Sequence, residues 1–228
     1  MSKISKEIAE RADRLYEGRE RIEEVRLSLE MLGGAPDDYE ALWRMARAHF
    51  FLGQEEVHKE RAREHHLSGV DSGKRAVRAF ESGVEGRFWL GVNLALLAGL
   101  AGPLVALPYA LGAKRELQRA AHLDPAYHGA GPLRVLARLE SRLPRIMGGG
   151  KGRARMHYEE ALSLAPENTV TRIYFAELLL ECGDPGAARL ELEALLAIPF
   201  NRSWAFEIKR DRARALELMR KMGWETRG

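Results

Sequence analysis

The chain is 228 residues long, 46% hydrophobic and 30% charged, with no low-complexity block, which excludes a disordered or fibrous protein and leaves room for a sizeable core. A formal net charge of +3 is small, but the 28 residues from Asn201 onward hold eight Lys/Arg and four Asp/Glu, so that end is +4 and the rest −1. A basic terminal helix of this kind reads first as a solvated cap on a helical stack, and no nucleic-acid partner is expected.

Cys182 is the single cysteine, so no intrachain disulfide forms and the compartment is not readable from redox chemistry. Met1-Ser-Lys-Ile-Ser-Lys6 has neither the apolar stretch of a signal peptide nor a lipid-acceptor cysteine. Read as it stands, this start places the protein in the cytoplasm. With a leader removed, it would be periplasmic or lipid-anchored.

Apolar residues recur every three to four positions throughout, and sustained two-residue alternation is absent, so every element is expected to be a helix. Ile8, Ala12, Leu15 and Tyr16 form one stripe ending near Gly18, and Ile22, Val25, Leu29 and Leu32 form the next, stopped by Gly33-Gly34 and Pro36. Asp37 or Asp38 caps a helix carrying Leu42, Met45, Ala46 and His49 up to Gly53. Glu55 to Leu67 reads as a charged helix, broken at Ser72-Gly73 before a short segment with Ala76-x3-Phe80. Phe88 to Ala113 has no charge over 26 residues. That is long enough to cross a bilayer at about 1.5 Å per residue, yet Pro103, Pro108 and four glycines point instead to two shorter buried helices with a bend. This stretch is also the expected self-association surface.

From Gly131-Pro132 a helix runs through Leu133, Leu136 and Leu139 to Pro144, followed by the loop Arg145-Ile-Met-Gly-Gly-Gly-Lys151. The next two segments fall into step 34 residues apart: Gly149, Ala154, Tyr158 and Ala161 stand over Gly183, Ala188, Leu192 and Leu195. That period, with small residues at helix crossings and Pro closing each unit, belongs to tetratricopeptide repeats. The expected fold is all-α, a tetratricopeptide-like helical repeat (an α-α superhelix) of about four irregular repeats with a C-terminal capping helix. Read as one domain over 1–228, it divides into an N-terminal helix pair (1–36), an irregular repeat (37–86), a charge-poor helix pair (87–130), a repeat with a loop insert (131–167), a last repeat (168–200) and a cap (201–228). Such folds present surfaces for partners, so no enzymatic activity and no cofactor are expected.

Chemistry is sparse. Gly148-Gly-Gly-Lys151-Gly152 fails as a phosphate loop, since Arg145 and Gly152 stand where Gly and Ser/Thr are needed. The loop does open a helix with Lys151 and Arg153, which makes an anion or carboxylate contact there conceivable beside the plainer reading of solvated bases. His58, His65 and His66 have the wrong spacing for a metal and sit among arginines, so a solvated charged face is expected and no metal site. Trp89 and Asn93 lie four apart on one helix face, with Asn93 in apolar surroundings. Arg134 and Arg138, with Arg142, line another face. Two readings stay open: an aromatic–amide wall opposite a cationic one, suited to a small carboxylate, or Asn93 tying helix ends while the arginines pair with Glu116 or Glu140.

Three stretches, Arg87-Phe-Trp-Leu-Gly-Val-Asn93, Leu123-Asp-Pro-Ala-Tyr-His-Gly-Ala-Gly-Pro-Leu-Arg134, and Leu143-Pro144 with Gly149, Ala154…Tyr158-Glu-Glu-Ala161 and Ala165-Pro-Glu-Asn168, resemble the T-component (TatT) family associated with TRAP transporters. The resemblance covers roughly residues 70–200. It implies an all-helical, self-associating protein, for example a trimer, that cooperates with the extracytoplasmic solute-binding protein of a sodium-coupled importer of small, often carboxylated solutes. Partner-binding candidates are then Trp89, Asn93, Arg134, Arg138, Lys151 and Arg153. A cytoplasmic scaffold docking a peptide or helix of a partner is the alternative.

Overall fold

The computed structural model describes residues 3–35 and 37–224, with the side chains of residues 103 and 104 left aside. Pro36, expected to stop the second helix, and Met1-Ser2 of the N-terminal reading lie outside the described residues. Among those residues the chain is all helix, with eleven α-helices and no strand. It divides into two compact units, Met1–Tyr127 and His128–Gly228.

The first unit holds α1 (Lys6–Glu17), α2 (Ile22–Leu32), α3 (Tyr39–Glu55), α4 (Lys59–Ala79), α5 (Val84–Leu100) and α6 (Pro103–Leu123). Ser5 caps α1 by accepting from the Ile8 N–H at 3.2 Å, and Ala12 and Tyr16 of the expected stripe are buried. The charge-free stretch forms parts of two helices, α5 and α6, that pack along each other, with the break at Ala101-Gly102 just before Pro103. No helix among the described residues is long and apolar enough to cross a membrane. Pro108 does not end α6, which runs on through it.

Both ends of the expected charged helix differ, since Glu55 ends α3 and α4 starts at Lys59. Ser72-Gly73 does not break a helix; α4 runs unbroken from Lys59 to Ala79. The glycine serves packing instead, because a Cβ on Gly73 would sit 2.9 Å from the Leu90 Cα, and one on Gly69 would meet the Asn93 amide at 2.5 Å. Gly73 lets α5 cross α4 at backbone contact, and Gly69 makes room for the Asn93 side chain. Phe80, expected inside a repeat, is instead half exposed at the end of α4 with its ring edge against Tyr39.

The second unit holds α7 (Tyr127–Glu140), a 3-10 turn (Arg145–Met147), α8 (Lys151–Leu164), α9 (Thr169–Glu181), α10 (Pro185–Ala197), a second 3-10 turn (Arg202–Trp204) and α11 (Ala205–Lys221). Here the 34-residue step holds fully: Ala154, Tyr158 and Ala161 of α8, and Ala188, Leu192 and Leu195 of α10, are all 0% exposed. All but Ala161 pack with Ile173, Ala176 and Leu179 of α9 in one core. The paired glycines do different work. Gly183, at φ 77°, ends α9 with its N–H on Leu180 O and the Asp184 N–H on Leu179 O, a left-handed helix stop. Gly149 lies so close to the Leu143 carbonyl that a Cβ there would collide with its oxygen.

Candidate functional site

In the first unit Asn93 is fully buried in the middle of α5. Its Nδ2 donates to the carbonyls of Ala46 (3.0 Å) and Trp89 (2.8 Å), and its Oδ1 lies 3.1 Å from His66 Nδ1. One amide thus joins α3, α4 and α5. Trp89, 1% exposed, donates from Nε1 to Tyr127 Oη at 3.2 Å and packs on Phe50 and Phe88. Both residues are therefore interior ties, without the open face that direct contact with a carboxylate needs.

The histidines correct the expectation of a solvated charged face. Only His58 is exposed; His66 is buried on Asn93, and His65 meets the half-buried His49 at 3.3 Å between Nδ1 atoms. Burial, with the neighbouring His65 and His66, drives His49 down to about 4, and burial lowers His65 and His66 as well. Among the described residues no three His, Cys, Asp or Glu side chains are placed to hold a metal ion.

The arginines of α7 do not pair with Glu116 or Glu140. Those carboxylates take Arg87 (2.9 Å) and His157 (2.9 Å). Arg138 bonds Glu177 of α9 at 3.0 Å, and Arg142 reaches Glu181 at 3.7 Å. Glu177 also takes Arg214 of α11, and the two guanidinium groups lie 4.7 and 5.8 Å from the ring centre of the half-buried Tyr174. Lys151 donates to the last carbonyl region of α9, at Glu181 O, from an exposed position, while Arg153 is exposed. Lys151 is thereby a cap for α9, since cations favour helix C-termini.

Arg134 is different. It is 5% exposed, and its Nη1 donates to Gly129 O (2.8 Å), Asn168 Oδ1 (3.3 Å) and Thr171 Oγ1 (3.5 Å). No carboxylate is among its hydrogen-bond partners, and burial lowers its pKa to about 10. The backbone it holds is strained. His128, Gly129 and Ala130 all take left-handed angles (φ 52°, 62°, 57°), each costing a non-glycine residue about 1–2 kcal/mol. Glycine is required in the middle, where a Cβ would stand 2.6 Å from Asn168 Nδ2. The His128 ring stacks on Trp204 at 4.9 Å, adding a second restraint.

Beside this turn, at the N-terminus of α9, opens a cavity of about 370 Å³, near the lower end of the roughly 300–1,000 Å³ usual for small-ligand pockets. Ile198, Ile208 and Trp204 supply an apolar wall, and Asn168, Thr169 and Gly129 a polar one. Asn168 caps α9, its Oδ1 accepting from Thr171 N at 3.0 Å. Behind Thr169, whose hydroxyl donates to Asp211 at 2.8 Å, the Asp211 carboxyl is pushed up by burial, although Arg210 and Thr169 oppose the shift.

Fold and site together locate the motifs. Gly129-Ala-Gly131-Pro-x-Arg134 is the left-handed turn with its brace, and Ala165-Pro-Glu-Asn168 is the cavity's edge and the cap of α9. The family model described as TRAP transporter T-component matches residues 36–220. The chain belongs to this family. Its fold is that of tetratricopeptide proteins: TTC0263, a thermophilic TPR protein from Thermus thermophilus, superposes with a TM-score of 0.68 at 20% identity, covering 92% of this chain and 99% of that one. No curated protein matches. The T-component match starts well before the roughly 70–200 span of the resemblance and takes in most of the first unit. Asn201, Trp204 and Ile208 were missed as cavity residues, because their motif-free segment is brought to α9 only by tertiary folding. Asn168 did carry a signal, as an Asn directly before a helical run.

Proposed function

We propose that this T-component protein is a non-catalytic accessory of TRAP-type solute uptake that holds a protein partner, the solute-binding protein of the same transport system, on the α7–α9–α11 face of the second unit. The observation that carries this reading is the half-buried Tyr174 ring with the Arg138 and Arg214 guanidinium groups beside it. Tyrosine and arginine are the residue types that dominate binding energy at protein interfaces, and here Glu177 pre-orders both cations. Family membership supports the transport role, and the helical repeat supports a partner surface.

Calorimetry of the full chain with that solute-binding protein tests the reading. Tyr174→Ala is expected to cost about 2 kcal/mol of binding, while Arg155→Ala on α8 leaves the affinity unchanged. No complex, or a complex indifferent to Tyr174, removes this surface. Self-association, proposed with it, is checked by light scattering, and a monomer mass would remove that part alone.

A further inference from the structure

The positive charge of this chain is segregated. Residues 128–200 carry nine Lys/Arg and nine Asp/Glu, so the second unit is neutral up to its last helix, and the +4 excess begins at Asn201. Most of that excess lies on one side of α11. Ile208, Asp211, Ala215 and Met219 are its buried positions, three and four apart, on the side that packs against α9 and α10. Arg212 and Arg214 turn back into the unit, to Ile198 O and Glu177. Opposite the buried line stand Lys209, Arg210, Arg220 and Lys221, all exposed, with one exposed acid, Glu217, among them. Counted whole, with the half-buried Glu207 and the buried Asp211, α11 has six Lys/Arg and three Asp/Glu, a net +3. Exposed Arg202 stands just before it.

The outer cations form two pairs, 209–210 and 220–221, set about 16 Å apart along the helix. Between them the same side is apolar, with exposed Ala213, Leu216 at 46% exposure and the half-buried Phe206. Paired cations around an apolar middle suit a surface that offers negative charge over a wide area with hydrocarbon beneath it. A nucleic-acid backbone supplies the charge but leaves Leu216 in water. An acidic protein patch needs carboxylates at a fixed spacing, whereas lipid headgroups move to meet any spacing. We propose that the outer side of α11 docks on an anionic lipid surface, its cation pairs meeting headgroup phosphates and Leu216 lying among the uppermost chain carbons. The Tyr174 face has no part in this: Arg214, which serves that face, is about a quarter turn away round the helix.

The test is co-sedimentation of the full chain with vesicles of phosphatidylcholine, alone or with about 30% phosphatidylglycerol. Binding is expected on the anionic vesicles only, and is expected to vanish at about 0.5 M salt, where charges are screened within roughly 4 Å. Lys209→Gln with Arg220→Gln is expected to weaken it about twentyfold, since each surface cation contributes about fivefold. Lys59→Gln with Arg61→Gln removes the same charge from exposed positions of α4 and is expected to leave binding unchanged. Leu216→Ser is expected to weaken it about threefold. Tyr174→Ala is expected to have no effect, so this surface and the partner surface fail separately. Circular dichroism of each variant should match the parent chain. The proposal is overturned if no vesicle binds, if neutral vesicles bind as well, or if the α11 and α4 pairs have equal effects. Duplex DNA bound through Lys209 and Arg220, with Leu216→Ser indifferent on vesicles, would make this a nucleic-acid face and overturn it too.

Discussion

The two units bury the same chemistry for opposite ends. In the first, Asn93 and His66 lie among apolar helices with each end of the Asn93 amide engaged, and Arg87 closes on Glu116. In the second, Asn168 is almost as deeply buried, yet it lines a cavity with its Nδ2 against Gly129, and no carboxylate is among the hydrogen-bond partners of Arg134. A network with every member engaged fixes helices, and one with a member left over is the costlier to bury. Burial alone does not separate the two; the direction of the unused hydrogen bond does.

The largest expected effect comes from breaking that contrast at the two asparagines. Asn93→Leu would strand His66 and put branched carbon against Gly69. We expect a loss of about 2–4 kcal/mol in urea unfolding. Asn168→Asp should change stability by under about 1 kcal/mol, because the cap and the Arg134 contact survive. Equal costs at the two positions would show that the distinction between closed and open networks has no energetic content.

Acid separates the units next. His49, His65 and His66 all have folded pKa values below the ordinary 6.5, His49 near 4. The groups facing them are one another, Asn93 beside His66, and Glu56, Arg26 and Glu64 around His65. The neutral form is therefore the one the fold prefers. Stability is complete above about pH 6.5 and falls as pH drops toward 4, since the unfolded chain takes protons that the folded chain refuses. Asp211 in the second unit has the opposite sign, because its raised pKa makes the folded state the better proton binder at low pH. Hydrogen exchange between pH 6.5 and 4 should show the first unit loosening before the second. His49→Leu should flatten that dependence, and an unaltered slope would refute the assignment.

How much of this was legible follows from how local each signal is. The 34-residue step in the second unit was readable because each position meets its neighbours within one repeat: Ala154 and Ala188, Tyr158 and Leu192 all reach the core. The resemblance likewise pointed to Gly129, Arg134 and Asn168 before any contact between them was known. Two kinds of feature stayed hidden. Gly73 looked like a helix breaker because its reason for being glycine lies 17 residues away, at Leu90. Trp89 and Asn93 read either as a binding wall or as an interior tie, because a spacing of four marks a face without saying what covers it. The cavity draws on Gly129, Asn168 and Trp204, from three separate segments, and no local pattern encodes that meeting.

The smallest effects test the same lesson on glycine. Gly73 and Gly152 both sit inside helices, where glycine costs about 0.5–1 kcal/mol against alanine. A Cβ at Gly73 would press on the Leu90 backbone at 2.9 Å, and one at Gly152 would meet nothing within 4 Å. Backbone cannot yield as a side-chain tip can, so Gly73→Ala should forfeit its helix gain and destabilise the first unit by about 1–2 kcal/mol. Gly152→Ala, free of any neighbour, should stabilise α8 by about 0.5 kcal/mol, reduced by its place in the first turn. Thermal unfolding of the two variants gives the readout directly. Opposite signs mean that helix crossings govern the first unit and local propensity the start of α8. A stabilised Gly73→Ala would instead mean that α4 and α5 shift apart at little cost, and that the interior tie at Asn93 is looser than its hydrogen bonds imply.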